Sequence, residues 1–212
     1  PRYAYKITSE WHDYTYGVGN VDVVFINKEN KDRNGVKYAG TYNGSNGTYS
    51  DFVVQPAFDF GNDKLNGFWV GKFETSHTGC TTDDTTGENF EGNEQLQIKA
   101  EVTSWRSIGV DNMFTISREM NKIGNPYGLN TSDNIVDPHM MKNTEWGAIA
   151  YLAVSRYGGK SGVAANEDVN FITGRGQYAD PYKEVTGQRA STTGNTTGIY
   201  VLSGGATEFV AA

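Results

Sequence analysis

The stretch Gly198-Ile199-Tyr200-Val201-Leu202-Ser203-Gly204-Gly205-Ala206-Thr207-Glu208-Phe209-Val210 decides how the rest of this chain is read. Its informative positions are Gly198, Ile199, Tyr200, Gly204, Ala206 and Glu208. Two other pieces precede it in order. The first is Phe68-Trp69-Val70-Gly71-Lys72-Phe73-Glu74, an aromatic-rich run whose alternation predicts a strand, with Phe68, Val70 and Lys72 facing one way and Trp69, Gly71 and Phe73 the other. The second is Met140-Met141-Lys142-Asn143-Thr144-Glu145-Trp146-Gly147-Ala148, which enters a helix. Each piece alone is weak, and their order carries the weight.

Working outward, the 212 residues suffice for one sizeable core or two small ones. Hydrophobic residues make up only 37%, while aromatics reach 13% with 13 Tyr and 26 Gly, so burial is expected to rest on rings more than on aliphatics. A formal net charge of -7 with no basic stripe argues against a nucleic-acid partner. The one cysteine, Cys80, rules out an intramolecular disulfide framework, and it is read as an incidental thiol in a polar loop. No apolar run approaches the roughly 18 residues that span a bilayer, and no signal-peptide core is present. The chain begins at Pro1, not Met, and is read as processed or as a piece of something longer.

Along the first sixty residues, Tyr3-Ala4-Tyr5-Lys6-Ile7, Val21 to Ile26, Val36-Lys37-Tyr38 and Phe52-Val53-Val54 read as strands. Asn34-Gly35, Asn43-Gly44 and Asn46-Gly47 mark tight turns. The acidic segment 81–93 is read as a solvated loop, because its carboxylates lack the spacing of an EF-hand. Two helices are expected. One runs over Asn112–Lys122, capped by Asp111, with Met113, Ile116 and Met120 on its apolar stripe; Gly124 and Pro126 close it. The other runs over Thr144–Tyr157, capped by Asn143, with Trp146, Ile149, Ala150 and Ala153 inward and Gly158-Gly159 at its end. Beyond it, Val169-Asn170-Phe171-Ile172 is the only expected strand in a long Gly, Ser, Thr and Asn-rich excursion.

The three ordered pieces resemble the formylglycine-generating-enzyme-like (sulfatase-modifying-factor) branch of the C-type-lectin-like folds, whose central segment has the form G-[IL]-Y-D-M-x-G-[GN]-x-W-E-[WY]. Val201, Leu202 and Thr207 depart from its Asp, Met and Trp, and the chain stops at Ala212 where relatives continue into further strands. The resemblance implies an α+β C-type-lectin-like domain with two helices, short antiparallel strands and long loops over residues 58–212, lacking its usual C-terminal strands. A β-rich segment, residues 1–57, precedes it. In the family the turn before the W-E pair gives backbone carbonyls and one carboxylate to a structural calcium ion. The matching residues are Gly204, Ala206 and Glu208; the alternative is that Glu208 bonds neighbouring backbone amides. The family's oxygen-using members need a copper-binding cysteine pair in C-terminal strands, and one upstream cysteine does not carry that activity over.

Tested for other chemistry, the chain has His12, His77, His139 and Cys80 but no zinc-ligand spacing, no G-x-S-x-G elbow and no Walker glycine loop around Gly158-Gly159-Lys160-Ser161. Glu74, Glu145 and Glu208 are read as structural hydrogen-bonding groups or caps, since no spacing pairs them for acid-base work. Tyr157, Tyr178 and Tyr182, like Tyr42, lie in loop contexts where exposed rings can stack on a ligand; the alternative is that they pack back on their own domain, and Tyr157, Tyr178 and Tyr182 are the ligand-binding candidates. The calcium triplets of sugar-binding C-type lectins are absent, and Gln55-Pro56-Ala57 is no substitute. Asn43, Asn46, Asn130 and Asn195 begin N-x-[ST] sequons.

The expectation is therefore a non-enzymatic structural or ligand-binding protein, extracellular, on a virion or at a cell surface, of the phage fibre, decoration or adhesin type. It would need no cofactor beyond a structural calcium, would form a homo-oligomer or join other structural subunits, and would meet a host-surface protein or glycan. The alternatives are a subunit of a bacterial surface filament or pilus and a fragment of a formylglycine-type oxidoreductase.

Overall fold

In a computed structural model of the chain, residues 1–8, 21–40, 51–81, 90–129, 136–158, 171–175, 181–192, 198–200, 202, 205, 206 and 209–211 are described. They are mixed α+β, with two α-helices and small antiparallel sheets among them. None of their helices is long and apolar enough to cross a membrane. The chain gathers into two units built from interleaved stretches: 1–70 with 142–164 and 192–198, and 71–141 with 165–191 and 199–212.

The first unit centres on an antiparallel sheet in which β1 (Tyr3–Ile7) lies between β2 (Val21–Phe25) and β3 (Val53–Val54). Tyr3 faces Phe25 and Ile7 faces Val21 across one ladder, while Ala4 faces Val54 across the other. A central strand covered on both faces reads as a continuous apolar run, and Tyr3, Ala4, Tyr5 and Ile7 are all buried. In β2, at the side of the sheet, Val21 and Val23 are buried while Asp22 between them is exposed. Helix α2 (Asn143–Ala153) covers this sheet: Tyr5 stacks on Tyr151 with ring centroids 4.6 Å apart, and the Tyr3 hydroxyl donates to the carbonyl of Ala148. Phe58 completes the core, its ring 5.4 Å from Tyr3 and 5.5 Å from Phe68. Each such side chain, fully buried, contributes about 1.5–3 kcal/mol. The buried Arg2 donates to the Phe58 carbonyl (2.8 Å) and to Asn30 Oδ1 (2.7 Å), and pairs with Asp59 at 2.8 Å. A short hairpin, β4 (Asp59–Phe60) and β5 (Asp63–Lys64), turns at Gly61-Asn62, where Gly61 takes a φ of 59°.

The second unit pairs β6 (Thr75–His77) with β7 (Leu96–Ile98) in antiparallel register, Ser76 opposite Gln97. Helix α1 (Val110–Glu119) sets Ile116 into a core with Leu96 and Trp105, flanked by Cys80, Phe90, Met120 and Tyr127. A separate aromatic cluster packs Phe73, Tyr182 and Tyr200 with centroids 5.0 to 5.7 Å apart.

Several expectations are corrected. The run Phe68–Glu74 forms no strand, and Trp69 is fully exposed. Alternation records two faces but not whether a ladder partner exists, and none of the described strands pairs here. Val36-Lys37-Tyr38 supplies only a single bridge, Lys37 to Lys31. Helix α1 is capped by Gly109, and Asp111 lies inside the first turn, where its charge still favours the helix N-terminus. Lys142, not Asn143, caps α2: its backbone N–H is bonded at 2.8 Å by the buried carboxylate of Glu145. Trp146 is only half-buried, and Ala148 takes its place among the inward residues.

Helix α2 also ends at Ala153, short of Tyr157, for a physical reason. Ser155 leaves the helix to bridge Val21 of β2, and its hydroxyl both donates to the Leu152 carbonyl (2.7 Å) and accepts from the Tyr157 N–H (3.2 Å). A serine that bonds local backbone competes with the helix ladder. Gly158 follows with its Cα against the Ala153 backbone, leaving no room for a side chain.

The turns at Asn43 and Asn46, Tyr42, residues 82–89, the sequons at Asn130 and Asn195, and Gly159 to Asn170 lie outside the described residues, so the strand expected at Val169 is described only at Phe171 and Ile172.

Candidate ligand-binding site

The turn that ends α2 delivers Arg156 and Tyr157 to the side of β2. The Tyr157 ring meets Phe25, the last residue of that strand, with centroids 4.7 Å apart. Arg156 lies over the Tyr157 ring at 4.9 Å and donates to its hydroxyl at 2.8 Å. Across from them stands a loop braced by two side-chain oxygen acceptors, one amide and one carboxylate. Asn27 Oδ1 accepts from the N–H groups of Glu29 (2.9 Å) and Lys31 (3.0 Å), and Asp32 Oδ1 accepts from those of Asn34 (2.8 Å) and Val36 (2.9 Å). Such Asx turns hold a loop without a sheet. The tip turns at Gly35, whose φ of 82° suits a residue without a Cβ. Asn34-Gly35 is thus a turn, as its dipeptide predicts.

Between the loop and the end of the helix runs an open groove of about 430 Å³. Its chemistry comes from Phe25, Asp32, Arg33, Tyr38, Arg156 and Tyr157. The volume lies within the range of small-molecule sites, about 300–1,000 Å³. Tyr38 packs edge-on to Phe52 at 5.3 Å, and its hydroxyl faces Asp32 Oδ2 at 3.4 Å. Burial and the Asp32 charge push the Tyr38 phenol above its usual range, so its hydroxyl stays protonated.

Of the residues expected to bind ligand, Tyr157 lies in this groove and is 46% exposed. Tyr182 belongs to the second unit, where its ring meets Phe73 and Tyr200 and its carbonyl accepts from the Tyr200 hydroxyl at 2.9 Å. Tyr178 is outside the described residues. Arg33, Tyr38, Phe25 and Arg156 were not legible as a site in the sequence, since 118 positions of chain separate Tyr38 from Arg156 and long-range packing, including the Val21–Ser155 bridge and the Phe25–Tyr157 contact, brings them together.

The expected calcium set is described only at Ala206, because Gly204 and Glu208 lie outside the described residues. The Ala206 N–H donates to Glu74 Oε1 at 3.1 Å, and the other oxygen of that buried carboxylate accepts from the Ser104 hydroxyl. Among the described residues no group of three or more His, Cys, Asp or Glu side chains is placed to hold a metal ion. Glu74 and Glu145 each make structural hydrogen bonds, in separate units. Cys80 is half-buried, with its thiol 3.6 Å from the Ser104 carbonyl.

The Lys72 ammonium lies 5.3 to 5.7 Å from the centroids of Phe73, Tyr182 and Tyr200. Such distances fall inside the roughly 6 Å reach of a cation–π contact. Tyr200 is tied to the same residue by its N–H, which donates to the Lys72 carbonyl at 2.8 Å. No family model, no curated protein and no solved structure matches this chain.

Proposed function

We propose that this chain is a non-enzymatic structural and ligand-binding module, displayed on a virion or cell surface, and built on a C-type-lectin-like domain of the formylglycine-generating-enzyme kind. The observation that carries the binding reading is the groove itself, in which exposed aromatic faces and arginines stand on elements braced by backbone hydrogen bonds. Aromatic and Arg side chains are the groups that most often anchor a partner. The family reading is supported by the bonding of its motif pieces: Tyr200 and Ala206 of the tail donate to Lys72 and Glu74 of the upstream run.

The test is to probe the immobilised full chain against an array of surface glycans and host-surface proteins. Saturable binding that is lost in Tyr157→Ala, with the thermal unfolding curve unchanged, is the expected result. Binding to no member of either class would overturn the reading, as would copper-dependent conversion of a cysteine peptide to formylglycine.

A second reading, a subunit of a surface filament, is favoured by the full exposure of Trp69. Light scattering separates the two. A concentration-dependent polymer abolished by Trp69→Ser would favour the filament, and a monomer in both variants would leave the binding module.

A further inference from the structure

The groove's chemistry goes further than a general binding surface. We infer that it takes a carboxylate-bearing sugar, held by Arg33 and Arg156 through its acid group and by the Tyr157 and Phe25 rings through its C–H face. This inference rests on the ligand-binding reading above and names the ligand class.

Charge comes first. The chain as a whole carries a formal charge of -7, yet the groove brings two guanidinium groups together with one carboxylate, Asp32. That carboxylate is already engaged by two backbone N–H groups at 2.8 and 2.9 Å and faced by the Tyr38 hydroxyl. Two guanidinium charges against one carboxylate leave the groove lining with a net positive charge.

Among the described residues, most of their donors have no protein partner. Arg33 is exposed at the tip of the loop and makes no hydrogen bond or ion pair among the described residues. Arg156 donates once, to the Tyr157 hydroxyl, and its guanidinium is held over the ring. A guanidinium carries five N–H donors, so most of that fork is available, in a fixed orientation that favours paired contact with a carboxylate.

The rings give the second half of the recognition. Phe25 is 36% exposed and Tyr157 46%, and they meet at an interplanar angle of 50°, so they form a bent apolar wall rather than a buried stack. A sugar ring presents an apolar C–H face beside its polar edge, and aromatic faces accept it. A free phosphate or a short acidic peptide would use the arginines without needing this wall. A neutral sugar would use the wall without needing the arginines. A carboxylate-bearing sugar uses both, its acid group on the arginines and its C–H face on the rings.

The experiment is calorimetric titration of the full chain with digalacturonate and 3′-sialyllactose, each paired with its neutral parent, galactobiose and lactose, and with inorganic phosphate as the anion control. The expected result is saturable binding of at least one acidic sugar, tenfold or more tighter than its parent and than phosphate. It should weaken tenfold or more in Arg33→Gln and Arg156→Gln and fall as salt rises. Arg33 is exposed and bonded to no described residue, so Arg33→Gln is expected to fold normally, and an unchanged melting curve checks this.

Equal binding of an acidic sugar and its neutral parent would overturn the acidic specificity while leaving the binding module intact. Binding of phosphate as tight as of the sugars would overturn the role of the rings. Binding undiminished in both arginine variants would place the ligand elsewhere. Failure of both acidic sugars to bind would overturn the inference, and the wider reading would fall as well only if the glycan and host-protein array were also silent.

Discussion

At the scale of single residues, the first unit depends on polar atoms placed deep in an aromatic core. Tyr3 is 1% exposed, and its hydroxyl donates to the Ala148 carbonyl of α2, tying strand to helix. Burial drives this phenol far above the ordinary value of 10, against a smaller opposite effect from Gln55. The unfolded chain therefore ionises first as pH rises. The stability linked to Tyr3 is fully present below pH 10 and is lost above it. Urea midpoints measured from pH 7 to 11 should fall beyond pH 10, and Tyr3→Phe should be less stable by about 1 kcal/mol at neutral pH with a shallower alkaline decline. A decline as steep in the variant would show that other groups govern it.

Asn30 serves Arg2 in a similar way. It takes a φ of 62°, which asparagine tolerates better than most residues, and its side chain accepts from the buried guanidinium. Asn30→Ala should lose about 1–3 kcal/mol in urea unfolding. Asn30→Gly, which relaxes the backbone but still lacks the acceptor, should recover only part of it.

At the scale of elements, the end of α2 is where the fold makes the groove. Had the helix continued through Tyr157, the next residues would have followed the helix axis instead of turning toward β2. Ser155 prevents this with one hydroxyl used twice, and Gly158 lets the chain close on Ala153. Gly158→Ala introduces a Cβ into that backbone contact. It should lower stability by about 1–3 kcal/mol, the usual cost of overpacking, and should weaken ligand binding through misplacement of Tyr157. Thermal melting and titration with the same acidic sugars check the two effects. Normal binding in a normally stable variant would mean that the turn can shift to make room.

At the scale of the whole molecule, the units are assembled from stretches far apart in sequence. Residues 1–70 hold the sheet, but α2, which covers it, comes from residues 142–164. A fragment of residues 1–70 should therefore lack cooperative unfolding, because Tyr3 and Tyr5 would lose Ala148 and Tyr151 and leave their rings in water. Adding a peptide of residues 142–164 should restore a cooperative transition, followed by near-ultraviolet circular dichroism of the tyrosines. A sharp transition in the fragment alone would mean that the sheet is self-sufficient.

The sequence by itself determined what local chemistry decides. The apolar run at Tyr3–Ile7, the alternation at Val21–Phe25, the Asn34-Gly35 turn and the inward stripe of α2 at Ile149, Ala150 and Ala153 all carry their burial or dihedral preference within a few neighbouring residues. What needed a distant partner was not legible there. The alternation of Phe68–Phe73 could not reveal that no described strand would pair with it and that Trp69 would stand in solvent. The helix pattern through Tyr157 could not reveal that Ser155 would leave to meet Val21. The groove follows from such long-range packing, because periodicity records which face of an element is apolar, whereas the neighbour that covers it, and the cleft left beside it, follow only from the packing of the chain in three dimensions.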